Sequence, residues 1–237
     1  MRTSYRGRAS RGSQLHLQDL VNANPEYLNG LLLSNCPSLR AYAIEHPRWT
    51  SPLKAYDYCE CRDRRFLEAI GHPQIADRLH DFWPRGGPVW DALATVQGVK
   101  GGHGAVLVEA KSHATETGNR GYRCRATRKS LEHISASLEV VKRDLGVGPG
   151  ANWLGEHYQY ANRIAHLWLL NSLEIPAWMV FVYFVGDIEQ NGPSAVAEWL
   201  PVIDKVNGVL NLPHHHRLED RIVSVFVPVT EFRGHHT

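Results

Sequence analysis

Three charged residues lie in two neighbouring apolar segments of the sequence. Asp91 lies near the start of the first segment, and Glu109 and Lys111 close the second, whose sequence is AVLVEAK. On a β-strand, side chains two positions apart point to the same face, so Glu109 and Lys111 project together while Ala110 points the other way. A buried Glu or Lys is costly unless it is paired or binds a ligand. The spacing therefore indicates either an ion pair or a binding site.

A glycine-rich turn over residues 97–104 separates the two segments and predicts a hairpin that brings Asp91 beside Glu109. Two carboxylates and an ammonium group that converge in this way suit a divalent metal, because the cation relieves the repulsion between the carboxylates. Lys111 could then orient or deprotonate a metal-bound water. The alternative is a simple Glu109–Lys111 ion pair at the end of a strand, with Asp91 an unrelated turn residue. The residue types and spacing alone leave both interpretations open.

The order of these features, an Asp, a glycine-rich turn and an apolar strand that ends in Glu-x-Lys, resembles the PD-(D/E)xK nuclease superfamily. The resemblance covers roughly residues 66–187 and implies a restriction-endonuclease-like fold. It implies that Asp91 and Glu109 are both catalytic and metal-binding, that the backbone carbonyl of Ala110 is a further metal ligand, and that Lys111 is catalytic. One departure is Trp90, which precedes Asp91 where the superfamily often has a proline.

Two further features are implied by this resemblance. A helix before the sheet often supplies another metal-binding Glu, for which Glu68 is the candidate and Glu60 and Glu26 are rivals that the sequence does not separate. The block that starts at Tyr158, YQYANR, resembles the Gln-bearing helix of several branches of the superfamily, so Gln159 is expected to be catalytic and Arg163 to neutralise a phosphate.

The same helix carries a polar stripe at helical spacing, which is equally typical of a solvated face. Its members are Gln159, Asn162, Arg163 and His166.

Basic residues cluster shortly after the Glu-x-Lys segment, although the net charge of the whole chain is only +2. Such a loop beside a metal site could follow a phosphate backbone, but an ordinary surface loop has the same composition. The candidate nucleic-acid-binding residues in it are Arg120, Arg123, Arg125, Arg128 and Lys129.

The remaining pattern predicts an α/β protein with a central mixed sheet flanked by helices and an N-terminal helical elaboration. Apolar residues are 43% of the chain, which is enough for a folded core and excludes a fully disordered chain. Residues 1–13 are expected to form a flexible basic arm, 14–82 a helical region packed on the core, and 83–237 the nuclease core. Predicted strands cover residues 89–96, 105–110, 177–185 and 221–229, and the main helices cover 56–70, 130–145 and 153–173.

Together these observations favour a metal-dependent nuclease that hydrolyses phosphodiester bonds in nucleic acid, with DNA the expected polymer. The implied cofactor is Mg²⁺, for which Mn²⁺ can substitute. The alternatives are an inactive nuclease-fold module that binds nucleic acid or a protein partner, and a hydrolase of a small phosphorylated substrate. No apolar run is long enough to span a membrane, so a cytoplasmic protein without membrane contact is expected. The N-terminal helices would shape the substrate groove or supply the contact of a homodimer.

Overall fold

The computed structural model describes residues 7–118 and 124–233. Within these residues five strands form a single mixed sheet, and their order across the sheet follows their order along the chain. The strands are β1 (Arg48–Ser51), β2 (Ala92–Gln97), β3 (His103–Lys111), β4 (Ala177–Val185) and β5 (Ile222–Pro228). The first three strands pair antiparallel, whereas β4 and β5 run parallel to β3. The predicted α/β class with a mixed central sheet is confirmed.

Helices cover both faces of this sheet. They are α1 (Gly12–Ala23), α2 (Pro25–Asn35), α3 (Pro37–Tyr42), α4 (Asp63–Ala69), α5 (Ala76–Phe82), α6 (Arg128–Asp144), α7 (Tyr158–Ser172), α8 (Val196–Leu210) and α9 (Thr230–Arg233). Apolar side chains of α1, α2 and α3 pack on one face, and those of α4 to α8 pack on the other. The sheet therefore separates two hydrophobic cores.

Strand β3 is buried on both sides because it lies in the middle of the sheet. Its side chains alternate between the two cores: Ala105 and Leu107 point into the α7 side, and Val106 and Val108 point into the α1 side. Continuing this period of two, Glu109 and Lys111 lie on the α7 side. The strand thus delivers two charged side chains to the interior, at the carboxyl end of an otherwise apolar run.

One observed strand has no predicted counterpart, and two predicted helices begin later than expected. Strand β1 was not predicted, because its four residues follow a Pro-rich segment and it is an edge strand. The helix predicted over residues 56–70 begins only at Asp63, since Asp57 and Tyr58 have positive φ values of 54° and 51°. The helix predicted over residues 153–173 begins at Tyr158. Trp153, which precedes it, is held by a hydrogen bond from its indole N–H to the carbonyl of Leu210 at the end of α8.

The part of the expected N-terminal arm that the structure describes, residues 7–13, packs onto the domain. Ala9 is buried and its N–H donates to Gln18 Oε1, and Arg8 forms an ion pair with Asp19. Helix α1 already begins at Gly12. The segment from residue 14 to 82 is not purely helical either, because it supplies β1 to the sheet.

Candidate active site

The antiparallel register of β2 and β3 brings the three charged residues of the sequence pattern to one place. Ala92 pairs with Val108, so Asp91, one residue before β2, stands opposite Glu109. The carboxylate of Asp91 accepts a hydrogen bond of 2.8 Å from the backbone N–H of Ala110. Asp91 is therefore tied to the strand that carries Glu109 and Lys111, which excludes the interpretation of Asp91 as an unrelated turn residue.

Glu109 is the centre of a buried charge network. The ammonium group of Lys111 donates to its Oε1, and Arg163 donates to Oε2 through Nε at 2.7 Å and lies 2.6 Å from it through Nη2. All three side chains are at most 5% exposed. Both oxygens of this carboxylate thus contact a cation of the protein itself.

The guanidinium of Arg163 contacts three further groups besides Glu109. It donates to Asn162 Oδ1 and to the carbonyl of Val89, each at 2.8 Å, and its central carbon lies 4.9 Å from the centre of the Trp90 ring. Arg163 was expected to neutralise a phosphate, but it is buried within the site and is not part of an accessible nucleic-acid surface. The reason is that Glu109 lies within reach of α7 and needs a counter-charge.

Gln159 lies one helical turn before Arg163 on α7. Its Oε1 accepts a hydrogen bond of 3.2 Å from Lys111 Nζ. The structure therefore brings Gln159 to the same cluster as Asp91, Glu109 and Lys111. The family resemblance and the helical spacing both predict a functional role for Gln159. Its position at the end of β3 follows from the packing of α7 on β4.

The polar stripe of α7 is not a solvated face. Asn162 and His166 are buried, and His166 Nδ1–H donates to the backbone carbonyl of Asn162 at 2.7 Å. The imidazole packs edge-on against Trp83 and Trp90. Burial lowers the pKa of His166 to about 4, so it is a neutral aromatic side chain of the core.

Glu60 is a further buried carboxyl group near this network. It lies in the irregular segment before α4, where Cys61 forms an isolated β-bridge with Trp90, next to Asp91. Glu60 is 6% exposed and accepts a 2.6 Å hydrogen bond from Gln14 Nε2 in the first turn of α1. The charge of Glu109 raises the pKa of Glu60 and the charge of Arg163 lowers it, so Glu60 lies near these two residues.

The two other candidate Glu residues are not in this cluster. Glu68 lies on the outer side of α4, is half exposed and pairs with Arg64 at 3.1 Å. Glu26 is exposed and contacts His46 over 2.5 Å. Of the three candidates, Glu60 is therefore the one that is buried beside the charge network. Its buried position could not be read from a helical period, because the segment is not helical.

The carboxyl groups of the site differ in charge state. Burial, together with the charges of Glu109 and Glu60, raises the pKa of Asp91 well above its usual value. Burial and the charge of Glu109 likewise raise the pKa of Glu60 to about 7. Although burial opposes it, Arg163 and Lys111 lower the pKa of Glu109. Glu109 is therefore compensated, whereas Asp91 and Glu60 are carboxyl groups without enough positive charge around them.

Lys111 is held in its charged form. Although burial opposes the charge, the carboxylates of Glu109 and Asp91 raise the pKa of Lys111. An ammonium group can donate hydrogen bonds and neutralise an anion, but it cannot accept a proton. Of the two functions expected for Lys111, this charge state favours orientation over deprotonation.

The donor atoms of the cluster fit a hard divalent cation, because they are carboxylate and amide oxygens beside the backbone of Ala110. Burial is the main cause of the raised pKa values of Asp91 and Glu60, and a bound cation would favour their ionised forms. Among residues 7–118 and 124–233, however, no three His, Cys, Asp or Glu side chains already stand together in a position to hold a metal. The described arrangement is an ion-pair network, and a cation would have to draw the carboxylates together.

The basic loop lies only partly within the described residues. Arg120 and Arg123 are outside them. Arg125, Arg128 and Lys129 are exposed, and Arg128 pairs with Glu132 at 3.1 Å on the first turns of α6. Basic side chains thus lie on the surface at and just before the start of α6, and Arg128–Glu132 is the ion pair that they form with other described residues.

Comparison of the chain with protein-family models, with curated proteins and with solved structures gives no match. None of the helices in the described part of the chain is both long and apolar enough to cross a lipid bilayer.

Proposed function

We propose that this protein is a metal-dependent nuclease with a restriction-endonuclease-like core, acting on nucleic acid and most readily on DNA. The observation that carries the proposal is the convergence of four residues. Asp91 hydrogen-bonds to the strand of Glu109, and Lys111 bridges Glu109 and Gln159. These residues come from three separate parts of the chain, namely the residue before β2, strand β3 and helix α7. A simple ion pair between Glu109 and Lys111 would not require Asp91 and Gln159 to lie at the same place.

In this proposal the carboxylates of Asp91, Glu109 and Glu60, with the carbonyl of Ala110, would hold Mg²⁺ or Mn²⁺. When bound, the cation would supply positive charge for the scissile phosphate and lower the pKa of a water. The raised pKa values of Asp91 and Glu60 support this assignment, because a divalent cation would supply the positive charge that the cluster lacks.

The protein's own side chains would have distinct functions. The ammonium group of Lys111 would donate to a phosphate oxygen or to the attacking water, and Gln159 would hold that ammonium in place through Oε1. Glu60 would be a ligand of the cation, which would favour its ionised form. Arg163 would keep Glu109 ionised and oriented.

The test is cleavage of supercoiled plasmid and of linear single-stranded DNA with Mg²⁺ or Mn²⁺. Wild type should cut only with metal, and Lys111→Ala should reduce the rate by about 10²-fold or more. The matched control is Lys142→Ala, which removes another buried lysine, paired with Glu139 on α6. Equal cutting by wild type and Lys111→Ala, or cutting in the presence of a chelator, would contradict the proposal.

One observation favours a second candidate, a nuclease-fold module that binds nucleic acid without cutting it. Glu109 already has two protein cations against its oxygens, an arrangement that is complete without metal. For this candidate, calorimetry should detect no Mg²⁺ or Mn²⁺ binding while DNA binding persists. Metal binding that is lost in Asp91→Asn would exclude it.

A further inference from the structure

A cleft of about 320 Å³ opens beside the candidate active site. It lies between the turn before β2, the chain that enters α6, and the first turns of α7. Its lining includes Trp83, Arg85, Arg125, Ile134, Tyr158 and Asn162. A volume of this size lies at the lower end of the range for small-molecule sites.

Helix α7 connects this cleft directly to the charge network. Tyr158 and Asn162 face the cleft one turn apart, while Gln159 and Arg163, the next residues along the chain, face Glu109 and Lys111. The bond of 2.8 Å from Arg163 Nη1 to Asn162 Oδ1 joins the two sites. The cleft and the charge network therefore share neighbouring residues of one helix.

The walls of the cleft combine two kinds of surface. Trp83, Ile134 and Tyr158 give it an apolar and partly aromatic interior. Arg85 and Arg125 lie at its exposed rim, and neither forms an ion pair with another described residue. The side chain of Asn162 is engaged within the protein, because its Oδ1 accepts a hydrogen bond from Arg163 and the side chain also hydrogen-bonds to Tyr158. A planar ring that carries an anionic group matches this combination.

We propose that the cleft binds one unstacked nucleotide of a single-stranded polynucleotide, next to the phosphate that the active site engages. The ring would contact the apolar interior, and the flanking phosphates would contact Arg85 and Arg125. A base inside a duplex is stacked on both faces and cannot enter such a cleft without leaving the helix. The inference rests on the proposed function and narrows its substrate to single-stranded nucleic acid or strands with unpaired nucleotides.

Binding is tested without metal, in EDTA, by fluorescence anisotropy of a labelled ten-nucleotide oligo(dT) and of a labelled duplex of the same length. Wild type should bind the single strand about tenfold more tightly or better, as expected for one stacked base. The double variant Arg85→Ala/Arg125→Ala should lose about tenfold in affinity, and its slope of log affinity against log salt should fall by about 1.4.

Two further variants make the test specific to the cleft. Ala126→Trp fills the cleft without changing charge, so it should weaken binding about tenfold and leave the salt slope unchanged. Arg143→Ala is the matched control for lost charge, since Arg143 is an exposed residue roughly 22 Å from the start of α6 along its axis. It should bind like wild type. The exposed arginine variants keep the test valid if Ala126→Trp does not fold.

The results separate this inference from the proposed function. Metal-dependent cutting that Lys111→Ala abolishes, with cleft variants that bind and cut like wild type, would overturn the cleft site alone. Loss of single-strand binding in the cleft variants, without cutting by any protein, would support the cleft site and overturn the nuclease. Equal affinity of wild type for single strand and duplex would also overturn the inference.

Discussion

Arg163 and Glu109 form a buried ion pair across the gap between α7 and β3. Arg163 donates to Glu109 Oε2 over 2.7 Å, and neither side chain is more than 5% exposed. The two side chains come from positions 54 residues apart in the sequence. Their contact fixes helix α7 against the end of β3, and so also sets the distance between Gln159 and Lys111.

Removing Arg163 should therefore destabilise the fold. We expect Arg163→Met to lower the free energy of unfolding by about 3–5 kcal/mol, because it leaves Glu109 with one cation in a buried site. Urea unfolding measures this change. The double variant Arg163→Met/Glu109→Gln should lose clearly less than the sum of the two single variants, since the unpaired charge is gone. Strict additivity would mean that the two groups do not interact.

Glu60 should make stability fall as pH rises. Its pKa is raised from 4.5 to about 7 in the folded protein, so the folded state binds more protons than the unfolded state between these values. The contribution of Glu60 is fully present below pH 4.5 and is lost as pH rises through 7. It amounts to at most about 3 kcal/mol.

The measurement is urea unfolding of wild type and Glu60→Gln at pH 4.5 and pH 8. Relative to the variant, wild type should lose up to about 3 kcal/mol between these values. Glu68→Gln is the control, because Glu68 is half exposed and pairs only with Arg64 within α4. If Glu68→Gln alters the pH profile and Glu60→Gln does not, the assignment of Glu60 to the buried cluster is wrong.

His166 should make the stability of the folded protein fall as pH falls, which is opposite to the effect of Glu60. Burial lowers its pKa from 6.5 to about 4, so the unfolded state binds more protons between these values. Its contribution is present above pH 6.5 and is lost as pH falls towards 4, by about 3 kcal/mol at most. His166→Phe keeps a ring against Trp83 and Trp90 and should flatten this acid limb. A variant whose stability still falls as wild type does from pH 6.5 to 4 would contradict the prediction.

The sequence predicts those structural features that depend on residues close together in the chain, and it does not predict those that depend on residues far apart. The strand 177–185 matches β4 at both ends, because nine consecutive β-branched, aromatic or other apolar residues suit only a strand buried on both faces. The sequence identifies Glu109 and Lys111 because side chains two positions apart on a strand share a face. It places Asp91 beside them because a hairpin pairs β2 with β3. Their convergence is a consequence of local pairing.

Long-range features were not predictable in this way. Glu60 reaches the site from a non-helical segment, and it is held there by Gln14, 46 residues away. The burial of Arg163 depends on the position of α7 over β3, which no local pattern specifies. Gly192 is similar: a Cβ at this position would overlap the carbonyl oxygen of Ser112, so only glycine allows the loop after β4 to approach the end of β3.

Metal binding, under the proposed function, should depend on pH in a way that follows from the same carboxyl groups. Asp91 and Glu60 have raised pKa values and must lose their protons before they can hold a cation. We therefore expect Mn²⁺ to raise the melting temperature more at pH 8 than at pH 6. Each displaced proton weakens the apparent affinity by up to about tenfold per pH unit below the pKa of its carboxyl group.

Thermal unfolding with and without Mn²⁺ at both pH values measures this effect. Glu60→Gln should show a smaller Mn²⁺ shift at pH 8, and Glu68→Gln should show the shift of wild type, because only Glu60 lies in the buried network. Mg²⁺ should act in the same direction, since both ions take oxygen ligands. An equal shift at pH 6 and pH 8 would mean that any bound metal does not displace protons from Asp91 and Glu60. The cation would then have to bind elsewhere on the chain.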